Sequence, residues 1–351
     1  MQQNKGLLFS ALILIEVLSL IAIWSTAPEL FMSQLAFVIV GIIVVYLLGK
    51  SDIFLLLSSG KTLYIISLIL LILTMLVGKN IRGSVRWIDL GFFNLQTSEI
   101  IKPLLAIYYS SYLAKLNKID WKQILIFLGI ASMPVILIAI QPDLGSALTL
   151  IFLPLALLAV SGQLGKILIL GTIFSVLVLP FESKLFKPYQ RQRIETFINP
   201  YSDPKGAGYN VIQATIAVGS GKIIGKGVKL GTQSHLNFLP ERHTDFIFAS
   251  YVEEFGLVGS LALFLSYIVL FRSCLYAVKR LRDNQQTLLS LSIFFLFLFQ
   301  FLVNVGMNLG IMPVTGITLP LFSYGGSSLL SFAILVGLLN LQLDLITPFE
   351  I

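Results

Sequence analysis

The sequence predicts an all-α polytopic membrane protein of about ten transmembrane helices, with one long extracytoplasmic loop between helices 7 and 8. Three observations carry this. Of 351 residues, 56% are hydrophobic and only 12% charged, with a mean hydropathy of +0.91, against about 25% charged residues in a soluble domain. Apolar runs of about 20 residues, the length that spans a bilayer, recur along most of the chain. These runs are continuous rather than alternating, which excludes a transmembrane β-barrel. Residues 1–351 are read as a single integral membrane domain.

The expected spans are 7–27, 31–49, 62–78, 98–114, 123–141, 144–161, 165–181, 245–271, 286–310 and 325–345. The first run follows Lys5 and is too long for a signal-peptide core, so it is read as a retained helix. Charged or Gly/Pro-bearing segments separate the others, such as Gly49 to Asp52, Lys115 to Lys122 and Lys279 to Asp283. The loop 182–244 is polar but carries a short apolar stretch at 211–218, which fits an ordered loop resting partly on the membrane. The single cysteine, Cys274, excludes an intramolecular disulfide.

An even number of spans puts both termini on one side. With the N-terminus inside, the inner segments hold Lys5, Lys50, Lys61, Lys115, Lys118, Lys122, Lys166, Arg272, Lys279, Arg280 and Arg282, while the short outer loops hold Lys79, Arg82 and Arg86. Eleven against three places both termini in the cytoplasm. The net charge of +7 follows from this bias and also suits a protein that handles anionic lipids.

Ionisable residues within spans are costly and point to function. Glu99 and Lys102, three residues apart on the fourth span, share a helix face, either as a self-neutralising pair or as a lysine lining a phosphate cavity. Glu16 has no partner on its own span. In the outer turn Lys79 to Gly91, Arg82 and Arg86 sit beside Trp87; this is ordinary interfacial chemistry or a pair of guanidinium forks for a diphosphate. Gln141-Pro142-Asp143 makes a tight turn in which Asp143 caps the next helix. Asp245 stands where the long loop enters the eighth span, as a helix cap or as a partly desolvated general base. At 100° per residue, at most one of Glu253 and Glu254 shares its face. His235 and His243, with no nearby cysteine, do not make a zinc site. The run Gly219 to Gly227 fits neither nucleotide-binding glycine pattern. The uncharged segment Asn304 to Ser328, dense in Gly, Pro and hydroxyls, is expected to re-enter the bundle and line a polar cleft.

Taken together, Arg82-Gly-Ser-Val-Arg86-Trp87, Gln141-Pro-Asp143-Leu-Gly145-Ser146, His243-Thr-Asp245-Phe-Ile-Phe-Ala249 and Ser323-Tyr-Gly-Gly-Ser-Ser328 resemble the SEDS (shape, elongation, division, sporulation) family over essentially the whole chain. Gly208-Tyr-Asn-Val-Ile-Gln213 and Met312-Pro-Val-Thr-Gly316 are more similar to its elongation branch than to its division branch. Thr97 departs from the family pattern, which usually has proline there before Ser-Glu.

The resemblance implies a glycosyltransferase that polymerises peptidoglycan strands from lipid II at the outer face of the bacterial cytoplasmic membrane. It also implies a class B penicillin-binding protein and other elongation-complex membrane proteins as partners; no nucleic acid is expected. Asp245 matches the family's essential aspartate, and Glu99 and Lys102 its acid and lysine. An α-linked donor becoming a β-linked product requires one inverting displacement. Diphosphate leaves readily, so a base and positive charge suffice, without the second carboxylate of inverting glycosidases. Asp245 is the expected base or, alternatively, a ligand for Mg²⁺ or Mn²⁺; no organic cofactor is expected. Arg82, Arg86, Lys102, Arg191 and Arg193 are expected at the diphosphate, with Glu99, Ser323 and Ser327 completing the binding site. Two rival readings are a lipid II flippase and a non-catalytic scaffold for the crosslinking enzyme.

Overall fold

The computed structural model describes residues 2–81, 84–91, 93–178, 188–206 and 208–346. Arg82 and part of the 182–244 loop lie outside this set. The N-terminal half consists of α1 (Gln2–Thr26), α2 (Phe31–Leu48), the short α3 (Ile53–Ser58), α4 (Gly60–Val77), α5 (Thr97–Ala114), α6 (Trp121–Ile140), α7 (Leu144–Leu158) and α8 (Leu164–Val178). The loop region carries α9 (Pro188–Ile198), α10 (Tyr209–Gly221) and α11 (Thr232–His235). The bundle closes with α12 (Ile247–Arg280), α13 (Asn284–Asn308) and α14 (Gly326–Asp344).

Among the described residues, eight helices are long and apolar enough to cross a membrane. This reconciles with ten expected spans in two steps. The fifth and longest of these segments in the first half, Leu144–Ile173, covers the expected span 144–161 and the first half of 165–181; it breaks at Ser161 and Gly162, where Gly162 takes φ 79°. The other is α5, which is too polar to qualify because it faces protein instead of lipid. Glu99, Ile101, Lys102, Leu105, Tyr109 and most of its other side chains are buried.

The bundle is apolar outside and packs a large apolar core, within which several polar residues are buried. Leu76, Met32, Leu55 and Ile69 project outward, from 57% to 77% exposed, as lipid-facing residues should. Glu16, Lys102, Gln300, Asn304 and Gln342 are buried. At one end Lys5 pairs with Asp344, tying the start of α1 to the end of α14.

A departure from the sequence reading is the connection between α4 and α5. It forms a three-stranded antiparallel meander of β1 (Lys79–Ile81), β2 (Ser84–Asp89) and β3 (Asn94–Gln96). Trp87 pairs with Lys79 on one side and Gln96 on the other. The alternating Val85, Trp87 and flanking polar residues suit a half-buried strand, but a run of six residues is too short to stand out against ten helices.

The 34-residue α12 is interrupted at Gly256, which adopts φ 64°. There the loop after α10 replaces the helix ladder. Leu257 and Val258 donate to the carbonyls of Lys222 and Ile223 at 3.0 and 3.1 Å, while Lys226 and Gly227 donate to Glu253 and Glu254 at 2.9 and 3.0 Å. Four backbone groups freed by the break are thereby satisfied in a place water reaches poorly. The glycine-rich run is thus a backbone splice, and close backbone contact requires glycine at Gly221 and Gly225. A Cβ at Gly225, which has φ +87°, would lie 2.1 Å from the Glu254 carbonyl oxygen. Gly225→Ala is therefore expected to destabilise the purified protein by about 2 kcal/mol or more, read as a lower thermal unfolding midpoint. Gly219→Ala, with nothing within 4 Å, should leave the midpoint at or above the wild-type value. Equal midpoints for Gly225→Ala and wild type would contradict the splice.

Candidate active site

A cavity of ≈ 690 Å³ opens at the meander end of the bundle. Its walls come from β2, the Asp143 turn, α9, the segment 241–245 and the segment 315–328. Of the residues expected at the site, Arg86, Arg193, Asp245 and Ser327 line it. Arg191, on the same helix as Arg193, is exposed and not part of the wall. Arg82 lies outside the described residues.

Asp245 is half-buried and does not cap α12. That helix begins at Ile247 with Phe246 in the capping position and no side-chain cap. Instead Asn308 reaches across from α13 and accepts from the Ala249 amide at 3.0 Å. The side-chain amides of Asn304 and Asn308 both donate to the Asp245 carbonyl at 3.0 Å, and Asn304 also donates to Ile317 at 2.8 Å. The spacing of four residues puts both asparagines on one face of α13. They fix the Asp245 main chain while its carboxylate faces the cavity. Gly316, with φ 77°, lies beside the carboxylate, where an added Cβ would stand in ordinary contact, 3.6 Å from Asp245 Oδ2.

The arginine wall is held from behind by Asp143. Arg86 Nε donates to the Gln141 carbonyl at 3.2 Å, Nη2 donates to the Pro142 carbonyl, and Nη1 lies 3.8 Å from Asp143 Oδ1. Asp143 caps α7 as expected, accepting from the Ser146 amide at 3.2 Å. It also accepts from Ser98 and Gln96 at 3.2 and 3.3 Å. It therefore belongs to the cavity wall as well as to the turn.

Glu99 and Lys102 pair at 2.5 Å, and Lys102 is 1% exposed. They lie on α5 beyond Thr97 and Ser98, not among the cavity-lining residues. Ser331 anchors their turn by donating to the Glu99 carbonyl at 2.8 Å. Thr97, at the position where proline was expected, accepts from the Thr74 hydroxyl at 2.9 Å. Ser323 is committed to the backbone: it donates to Thr244 at 2.7 Å and accepts from the Leu319 amide at 2.8 Å. Ser327 accepts from the Gln96 amide at 2.8 Å, linking β3 to the start of α14.

Glu253 and Glu254 both turn away from Asp245 toward the spliced loop. Glu253 pairs with Lys226 at 2.7 Å and accepts from the Gln233 amide at 3.0 Å. Glu254 accepts from Ser25 at 2.6 Å and lies 2.8 Å from His235 Nε2. Arg242 donates to the Thr26 carbonyl at 2.9 Å, which satisfies the end of α1. Sequence reasoning passed over Glu241, a cavity-lining carboxylate in a left-handed conformation, φ 52°. Its place in the charged stretch Pro240 to Asp245 was the available signal.

This geometry defines a polytopic membrane protein with a cleft lined by two arginines and three carboxylates at one end of its bundle. The family model described as cell cycle protein, covering FtsW, RodA and SpoVE, matches residues 5–343, and the chain belongs to that family. The peptidoglycan glycosyltransferase MrdB of Escherichia coli is 40% identical over 270 residues, spanning 76% of this chain and 73% of the relative. A probable peptidoglycan glycosyltransferase FtsW of Synechocystis is 34% identical over 316 residues, spanning 90% and 80%. Among solved structures, a chain of a peptidoglycan synthase complex that coordinates polymerisation and crosslinking superposes with a TM-score of 0.82 at 30% identity, covering 97% of each chain. The rod shape determining protein RodA of Thermus thermophilus gives 0.72 at 28% identity, covering 98% of this chain and 97% of that one.

The buried Glu99–Lys102 pair makes a sharp prediction. Lys102→Met leaves a buried carboxylate uncompensated and should cost about 3–5 kcal/mol. Adding Glu99→Gln should restore most of the loss in thermal unfolding. A single variant as stable as wild type would show that the pair is not coupled.

Proposed function

We propose that this chain polymerises the glycan strands of peptidoglycan, transferring the disaccharide-peptide of lipid II with release of undecaprenyl diphosphate. It is a peptidoglycan glycosyltransferase of the elongation branch, acting in cell shape. The observation that carries the chemistry is one cavity holding Asp245 together with Arg86 and Arg193.

The Asp245 carboxylate accepts the proton of the attacking sugar hydroxyl as that oxygen bonds to the anomeric carbon. The bond from that carbon to the diphosphate oxygen breaks in line, and its electron pair leaves with the lipid diphosphate. Arg86 and Arg193 stabilise the charge that develops there. The threonine and serine hydroxyls and glycine backbone of residues 315–328 form the neutral wall against which the sugars rest. The polar cavity takes the headgroup, and the prenyl tail stays in lipid.

A divalent ion is compatible with this wall in one form only. No group of three potential ligands exists among the described residues, so a ready-made protein cage is not present there. Mg²⁺ is commonly held by one or two carboxylates plus substrate phosphates, and Asp245 and Glu241 both line the cavity. Bound in that way, such an ion would supply positive charge to the diphosphate.

We place both termini in the cytoplasm and the cavity at the outer face. The distribution of Lys and Arg among short loops supports this orientation. A class B penicillin-binding protein is the proposed partner, in keeping with the two-activity complex to which a structural neighbour belongs. The flippase reading requires a site accessible from both faces, whereas the residues lining this cavity gather at the meander end.

Purified protein incubated with lipid II and a class B penicillin-binding protein should yield glycan ladders. Asp245→Asn, folded and partner-bound, should yield none, a loss of at least about 100-fold. Equal ladders would remove Asp245 from the mechanism. Absence of ladders from wild type beside an active control enzyme would favour the scaffold or flippase reading.

A further inference from the structure

At the opposite end of the bundle, a second cavity of ≈ 180 Å³ lies between the α3–α4 junction and the last turns of α5. The two cavities are separated by the length of α5, about 27 Å for its 18 residues. The second is lined by Lys61, Lys115, Tyr108, Tyr112, Ser58 and Ser111, among others. Its volume is an order of magnitude above the roughly 10–15 Å³ a single water needs.

Neither lysine has an ion-pair partner among the described residues. Among the described residues, the carboxylates at this end have other hydrogen-bond or ion-pair partners. Asp52, Asp120 and Asp283 each accept from an amide at a helix start, and Asp344 pairs with Lys5. Two exposed lysines thus flank one cavity, and neither has an ion-pair partner among the described residues.

The wall behind them is rigid. Tyr108 stacks on Tyr64 with ring centroids 4.5 Å apart, and Tyr64 is itself pinned by donating to the Ile130 carbonyl at 2.9 Å. Along α4 from Lys61, the side chains of Ile65 and Ile69 are 55% and 57% exposed, an apolar track one and two turns deeper into the bilayer. Lone interfacial lysines normally snorkel to water. Here two lysines lie at a tyrosine-walled cavity beside an apolar helix face, an arrangement that matches the chemistry of a phosphate carrying acyl chains.

We propose that this cavity binds the phosphate headgroup of an anionic phospholipid from the leaflet opposite the candidate active site, with its acyl chains lying along α4. This site is independent of the polymerase reading and does not use its residues.

The test is native mass spectrometry of the full-length protein in detergent, titrated with phosphatidylglycerol, phosphatidylcholine or glycerol 3-phosphate. The wild type should retain one phosphatidylglycerol molecule in preference to phosphatidylcholine. Lys61→Ala with Lys115→Ala should weaken that tightest site about tenfold or more, whereas Lys61→Arg with Lys115→Arg should retain it. Thermal unfolding checks that the variants are folded. Equal phosphatidylglycerol retention by wild type and the double alanine variant would overturn the site. Displacement of phosphatidylglycerol by millimolar glycerol 3-phosphate would overturn the lipid source in favour of a soluble phosphate.

Discussion

The fold depends on satisfying irregular backbone inside a membrane. Residues 309–325 run without helix between α13 and α14, at a depth where an unpaired peptide group costs several kcal/mol. Side chains from three helices, and one from the segment itself, supply what a ladder would have supplied. Asn304 holds the Ile317 carbonyl, Tyr267 donates to Pro320 at 2.5 Å, Ser19 donates to Phe322 at 2.7 Å, and Ser323 closes its own turn onto Thr244. The same two asparagines hold the Asp245 carbonyl. The position of the carboxylate is therefore a consequence of how the re-entrant segment is satisfied.

The break in α12 follows the same rule with different means. There the partner is backbone: residues 222–227 take the place of the missing helical turn. Glu253 and Glu254, on the turn just before Gly256, secure the loop from the side. A carboxylate with no exposed surface is tolerable because Lys226, Thr232, Gln233 and Ser234 all donate to it. One end of α12 thus starts at the site and, within three turns, anchors the loop beside it.

Much of this was legible in the sequence because lipid imposes length and polarity on every span. The break at Gly162 and the buried course of Glu99 and Lys102 were both visible as departures from an apolar run. Asp245, Arg86, Arg193 and Ser327 were singled out, and they line one cavity. What remained hidden depended on partners distant in the chain. Nothing local shows that Asn304 and Asn308 bond residues 59 and 63 positions earlier, or that Glu254 turns to Ser25, 229 positions away. Ser323 looked like a binding residue because a hydroxyl in a polar segment has the same sequence signature whether it faces ligand or backbone. The meander was missed because its strands are three to six residues long.

The central claim is that a lipid-linked diphosphate binds between the arginine wall and Asp245. Its most direct test is a high-resolution structure of the protein with a non-hydrolysable lipid II analogue bound. The account predicts the diphosphate within hydrogen-bonding distance of Arg86 and Arg193, and the Asp245 carboxylate facing the site of the attacking hydroxyl. A headgroup bound elsewhere, with this cavity filled only by water, would contradict it.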